Sequence, residues 1–201
     1  MNSILKFAGI LVSVFCFTQN AAAQGHSSDG FYIGLDGSYD RLTDNSSIND
    51  ASAPVDVINV WGPAAGVFVG YSQTKGQFNV AVEARYGYGF NKQTAPSSAI
   101  VKNTHEFELA ALPGMWLTDE FLVYARLGVT NNSLRVTTGN NTVTNTGTDF
   151  SYGAGAQLSL MNGFSIRGEY TRGEVYDEPI SLVSFWRVKR DRFKIAILKK
   201  F

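Results

Sequence analysis

The chain has 201 residues, enough for one domain with elaborate loops. Lysine plus arginine and aspartate plus glutamate each number 17, so the net charge is zero and no basic field recommends a nucleic-acid partner. Cys16 is the only cysteine, which excludes a disulfide framework and a multi-thiolate metal centre.

The N-terminus reads as a secretory signal. Lys6 supplies a positive start, Phe7 to Phe17 form an apolar core, and Ala21-Ala22-Ala23-Gln24 presents small residues where a signal peptidase cuts. Cleavage is expected after Ala23, giving residues 1–23 as signal peptide and 24–201 as one β-barrel domain. The apolar stretch is shorter than the roughly 20 residues a membrane-spanning helix needs. Cys16 lies inside it behind Phe15, where a lipoprotein site would carry a small residue, so the processed chain holds no thiol. No later apolar run approaches spanning length, but hydropathy is nearly blind to barrel strands because they alternate.

Eight segments then alternate with period two. In 31–41, Phe31, Ile33, Leu35 and Tyr39 share a face against Gly34, Asp36, Ser38 and Asp40. Segment 64–73 sets Val67 and Val69 against Gly66, Phe68 and Gly70. The clearest, 78–90, sets Phe78, Val80, Val82, Tyr86 and Tyr88 against Asn79, Glu83 and Arg85. Segments 104–117, 121–130, 149–160, 164–172 and 184–201 repeat the pattern. Short turns fall at Thr74-Lys75-Gly76, Thr118-Asp119-Glu120 and Met161-Asn162-Gly163, and long polar loops at 42–60, 91–103, 131–148 and 173–183. One tight rim and one elaborate rim, with an even strand count, predict an eight-stranded antiparallel up-and-down transmembrane β-barrel, all-β in class.

A soluble barrel would turn the apolar face inward around a ligand. Three features point the other way. The polar face is rich in Gly, Ser and Ala, which suit a narrow bore better than a solvated surface. Aromatic pairs such as Phe31 with Tyr39 and Phe78 with Tyr88 mark both ends of the apolar face, as interfacial girdles do. About ten residues at ~3.3 Å each, tilted near 40°, rise about 25 Å, the height of the lipid-facing band.

The run Ser151-Tyr-Gly-Ala-Gly-Ala-Gln-Leu-Ser-Leu-Met-Asn-Gly-Phe-Ser-Ile-Arg-Gly-Glu-Tyr-Thr-Arg172 resembles the sixth strand, turn and seventh strand of OmpA-like, OmpX-like and opacity-type outer-membrane proteins. Gly30-Phe-Tyr-Ile-Gly-Leu-Asp-Gly-Ser-Tyr39, Tyr124-Ala-Arg-Leu-Gly-Val129 and the terminal Phe201 look like that superfamily too. The resemblance implies a Gram-negative outer membrane and a structural or surface-interaction role, through adhesion or resistance to host factors. It implies contact with lipid, lipopolysaccharide and the barrel-assembly machinery, the last reading Phe193, Ile195, Ile197 and Phe201. Host ligands would meet the loops, and a monomer is expected. Two departures stand out: Lys199 lies where the terminal signal is usually apolar, and Pro113 removes a ladder donor, so a bulge or early strand end is expected there.

The inward faces collect Asp36, Asp40, Glu83, Glu106, Glu108 and Glu169 with Arg85, Arg126, Arg167, Arg192, Lys194 and Lys200. An eight-stranded bore has room only for side chains. Ion pairs are therefore expected to fill it, with Glu83, Arg85, Arg126, Arg167 and Glu169 at the centre. The alternative is a narrow pore or a lipid-modifying barrel enzyme. Catalysis would need a histidine beside a serine and an acid; His26 sits in the N-terminal tail, and His105 is expected on the outward face beside Phe107 without a serine. Arg172, Arg187, Lys189, Arg190 and Arg192 form a basic group expected at the outer rim, suited to lipopolysaccharide phosphates. No metal or cofactor constellation is legible, and the chain is expected not to be an enzyme.

Overall fold

A strand with one oily and one polar face must satisfy both faces and both edges, and in lipid a closed ring of strands does so at once. The computed structural model describes residues 29–44, 59–90, 92–94, 100–138, 141–176 and 187–201. The expected signal segment 1–23, with Cys16, and His26 lie outside them. The strands are β1 (Gly30–Asp44), β2 (Asn59–Lys75), β3 (Phe78–Gly89), β4 (Lys92–Thr94), β5 (Ile100–Trp116), β6 (Phe121–Thr138), β7 (Asn141–Ser159), β8 (Phe164–Tyr176) and β9 (Arg187–Lys200).

All but β4 form an antiparallel up-and-down ring in chain order. It closes where β1 pairs with β9 and where β3 pairs with β5 past the three-residue β4. Among the described residues no helix is long and apolar enough to cross a membrane. Burial is inverted relative to a soluble barrel: Ile195 is 71% exposed while Arg126 is 0% exposed. Phe31, Val69, Phe78, Leu109 and Phe193 also face out, and Asp40, Glu83 and Arg192 face in.

The short turns follow from their residues. Gly76 adopts φ 62° between β2 and β3, a conformation that favours glycine. Thr118 Oγ1 accepts from the amides of Glu120 and Phe121, the side-chain turn typical of threonine. Asn162 (φ 61°) and Gly163 (φ 75°) carry the turn Met161–Gly163. Lys199 faces outward with the apolar row of β9, but its ammonium reaches back to donate to the Asn162 carbonyl and lies 4.6 Å from the Phe164 ring centroid. That is snorkelling toward the turn, which lets a cation stand in a lipid-facing row.

Three expectations need correction. The expected loop 91–103 holds β4 and the first residues of β5, which pair with each other. Residues 131–148 are largely not a loop. The β6–β7 ladder runs unbroken to Thr138↔Asn141, because β-branched Thr and Val extend the hairpin beyond the apolar band. Pro113 makes no bulge. The β5–β6 register is the same on both sides of it, from Ala111↔Leu127 to Gly114↔Tyr124, with the pairing merely interrupted at 112–113; the shift falls instead between Asn103 and His105. Pro113 keeps its place opposite Val80 of β3.

The half of the bore nearest the short turns holds an apolar cluster, Tyr32, Phe68, Leu112, Leu122, Tyr124 and Leu198, edged by buried Ser72, Asn79, Gln157 and Ser165. Glycines make the room. A Cβ on Gly70 would lie 2.2 Å from Tyr32 Cζ, and one on Gly34 would lie 2.2 Å from Phe68 Cζ. Gly70→Ala should therefore cost about 1–3 kcal/mol through overpacking. Combined with Tyr32→Ala it should cost clearly less than the sum of the two single losses. Urea unfolding in lipid vesicles measures both, and strictly additive losses would contradict the packing of this ring over Gly70.

Candidate functional site

Above the apolar end the bore is lined by charge, arranged in two tiers. The alternation of each strand turns the side chains inward, and curvature brings together strands remote in sequence. In the tier nearer the short turns, Arg126 donates through Nε to Glu108 (3.0 Å) and through Nη1 to Glu83 (2.8 Å) and Glu169 (3.3 Å). Arg167 donates to the other Glu83 oxygen at 2.5 Å and to Gln157 Oε1 at 3.1 and 3.3 Å. Lys194 pairs with Glu169 at 2.5 Å. Tyr124 and Tyr32 hydroxyls donate to Glu169 (2.7 Å) and Glu83 (3.3 Å), so the aromatic floor is bonded to the charges. The Arg167 guanidinium also lies 5.4 Å from the ring centroids of Tyr32, Phe68 and Tyr124.

The outer tier turns on Glu106, which accepts from Arg85, Arg190 and Arg192. Two of these arginines grip a second carboxylate with a planar fork: Arg85 holds Asp36 at 2.6 and 2.7 Å, and Arg192 holds Asp40 at 2.6 and 2.7 Å. Arg190 bonds Asn132 Oδ1 at 3.0 Å and pairs with Asp149 at 3.0 Å, while Asn132 donates to Asp149 at 2.9 Å. The Arg85 guanidinium fits because Gly66 and Gly87, cross-strand partners, leave its space clear.

Of the central residues expected from sequence, the structure brings Glu83, Arg126, Arg167 and Glu169 into one tier and places Arg85 in the other. Lys200 stands apart, half-buried, donating to Ser72 at 2.8 Å. Asp149 and Arg190 were not among the expected lumen residues. Period two carried on from Ser151 and from Arg192 would have placed both inside.

The expected rim group does not hold together. Arg190 and Arg192 are 5% and 3% exposed and belong to the outer tier, so they cannot meet lipid from the outside. The side chain of Arg187 lies outside the described residues. Arg172 faces out, with its Nε 3.9 Å from Asp191. Lys189 is half-buried, opposite Glu174 of β8.

His105 faces out, and its Nδ1 lies 2.7 Å from the Tyr86 hydroxyl, with Tyr88 edge-on. Ser133 stands opposite it on β6, contrary to the expectation that no serine is beside it. The carboxylate next in sequence, Glu106, turns inward to its arginines. Phe193, Ile195, Ile197 and Phe201 are exposed along one face of β9, and the Phe201 amide donates to the Phe31 carbonyl at the closing seam. Among the described residues no group of three or more His, Cys, Asp or Glu side chains could hold a metal ion.

The comparisons with known proteins agree with this geometry. The chain resembles in fold the crystal structure of Neisserial surface protein A, at 13% identity and a TM-score of 0.61, over 86% of this chain and 97% of the other. It likewise resembles Ail, the attachment invasion locus protein of Yersinia pestis, at 14% identity and a TM-score of 0.50, over 86% and 99% of the two chains. A second structure of Ail, in complex with the heparin analogue sucrose octasulfate, matches at 12% identity and a TM-score of 0.53, again over 86% and 99%. No curated protein sequence matches the chain significantly. The sequence pattern of the outer membrane protein beta-barrel domain matches residues 8–189. A ring of eight strands, oily outside and charged within, thus belongs to the outer membrane protein beta-barrel domain family and resides in the outer membrane of a Gram-negative bacterium.

Proposed function

We propose that this barrel is a closed-bore surface protein that acts through the structures on its elaborate rim, in adhesion or in resistance to host factors. The observation that carries this reading is the β6–β7 hairpin. Outward residues of β6 are apolar from Phe121 to Val129, and the next one, Asn131, is polar. The ladder nevertheless continues from Asn131↔Thr148 to Thr138↔Asn141, roughly 24 Å further along the strands at ~3.4 Å per residue.

Beyond the apolar band, β4, β5, β6 and β7 pair side by side. The described β8 ladder stops at Asp149↔Val175, so residues 141–148 have no partner on their far side among the described residues. Such an edge offers backbone donors and acceptors to an extended segment of another protein. Asn141 to Thr148 contain no lysine or proline that would discourage this pairing. The structural likeness to Ail, itself named for attachment and invasion, supports the same class of role. On this reading the protein is a monomer, is not an enzyme, and is inserted by the assembly machinery through the exposed β9 row Phe193, Ile195, Ile197 and Phe201.

Closure of the bore rests on the two charged tiers and on the apolar floor. A cavity of about 20 Å³ beside Asn79, Trp116 and Arg167 has room for about one water. Purified protein in a planar bilayer should give no discrete conductance, and stable single-channel steps would refute the closed bore. Arg126→Ala leaves Glu83, Glu108 and Glu169 facing one another, and breaking buried pairs in this way costs about 3–5 kcal/mol. The loss should appear as a lower urea midpoint, and an unchanged midpoint would mean that the tier is not formed.

The rim is tested separately. Removing residues 135–138 and 141–144 joins Leu134 and Asn145 through Gly139-Asn140 and keeps the register below. Cells carrying this trimmed barrel should display it in the outer membrane yet lose binding to host matrix and complement components. Equal binding by cells with the full, trimmed or no barrel would sink the interaction role.

A further inference from the structure

One sector of the outer surface is built differently from the rest, and its position does not depend on the hairpin or on the bore. At the outer end of the apolar band, β1, β9 and β8 set Arg41, Asp191 and Arg172 side by side, since Asp191 is the register partner of both arginines. Directly membrane-ward lies the exposed aromatic row of Tyr39, Phe193 and Tyr170, so the two guanidiniums stand where hydrocarbon gives way to head groups.

One carboxylate cannot offset both arginines, and Asp191 pairs loosely with Arg172. Asp191 Oδ1 already accepts from the Tyr170 hydroxyl at 2.6 Å, and Arg172 Nε is 3.9 Å away with its side chain 40% exposed. Arg41 lies over Trp61, 4.8 Å from the ring centroid, and its buried Nε has no hydrogen-bond partner among the described residues. Stacking engages the face of a guanidinium and leaves its in-plane donors for an oxyanion. Lys189, one step further out, has Glu174 opposite and is not needed for the site. The first outward residues past the apolar rows of β5, β6 and β7 are His105, Asn131 and Thr148, so those three strands set no arginine or lysine at that position.

We propose that Arg41 and Arg172 form a binding site for a phosphate group on the glycolipid of the outer leaflet, with Asp191 as the fixed spacer and Trp61 as the platform. The site commits to a lipid head group because it looks sideways into the membrane boundary. A soluble anion would meet cations on the rim instead. Arginine suits the task because its donors match phosphate oxygens two at a time.

The test uses the full-length processed chain in phosphatidylcholine nanodiscs, titrated with diphosphorylated or dephosphorylated lipid A. Folding of every variant is checked by heat-modifiable gel migration. Arg41→Gln with Arg172→Gln should weaken binding of the phosphorylated lipid by about tenfold or more, as loss of charge-assisted hydrogen bonds does. Dephosphorylated lipid should bind the unaltered protein as weakly as the phosphorylated lipid binds the double variant. His105→Gln, in the opposite sector, should change neither. Equal binding of the two lipids, full affinity in the folded double variant, an equal loss in His105→Gln, or displacement of the lipid by millimolar inorganic phosphate would each overturn the assignment.

Discussion

Hydrocarbon offers no hydrogen bonds, so every backbone donor and acceptor that enters it must find a partner within the protein. That constraint sets the architecture. A flat sheet would leave two unpaired edges in lipid, whereas the ring formed by the β1–β9 and β3–β5 pairings leaves none in the apolar band. Once the ring is closed, one face of each pleat is committed to lipid and the other to a bore too narrow for bulk solvent. Charges that face inward must then satisfy one another. This is why Arg126, with no exposure at all, sits among three glutamates.

The same constraint explains why the bore is selective about its partners. A buried ion pair gives little net stability over an apolar filling, but an unpartnered buried charge is costly. Asp40 with Arg192 and Glu83 with Arg167 join strands far apart in the chain, with β8 and β9 as the common side. A slip of one residue in any strand would swap its charged row into lipid and its oily row into the bore. The pairs therefore act chiefly on register, while the oily exterior supplies the affinity for the membrane. The apolar floor of Tyr32, Phe68 and Tyr124 closes the end near the short turns, and its hydroxyls tie it to the inner tier.

Outside the bore the surface divides by height. Aromatic residues mark the limits of the apolar band, the β6–β7 hairpin rises beyond it, and the Arg41–Asp191–Arg172 row lies at the boundary on β1, β9 and β8. On the proposed reading these are separate tasks on one scaffold: anchoring to phosphorylated lipid at the boundary, and interaction with other proteins above it. Neither draws on the lumen, which is consistent with a bore whose side chains are occupied with each other.

The alternation of Phe78, Val80, Val82, Tyr86 and Tyr88 against Asn79, Glu83 and Arg85 determined strand, membrane face and bore face directly, because pleat is a property of neighbouring residues. The strand count, the short turns at Gly76, Thr118 and Asn162, and the inward charges of β3 were legible for the same reason. Where alternation was abandoned too early, at Asp149 and Arg190, two lumen residues were missed or placed on the rim. Thr and Asn residues in 131–148 looked like loop because a ladder above the membrane has no oily face to mark it. Sequence could name the charges but not their partners. That Glu106 gathers Arg85, Arg190 and Arg192, and that Arg41 lines up with Arg172 across Asp191, was decided only by the tertiary structure, because strand curvature, stagger and register set which rows meet.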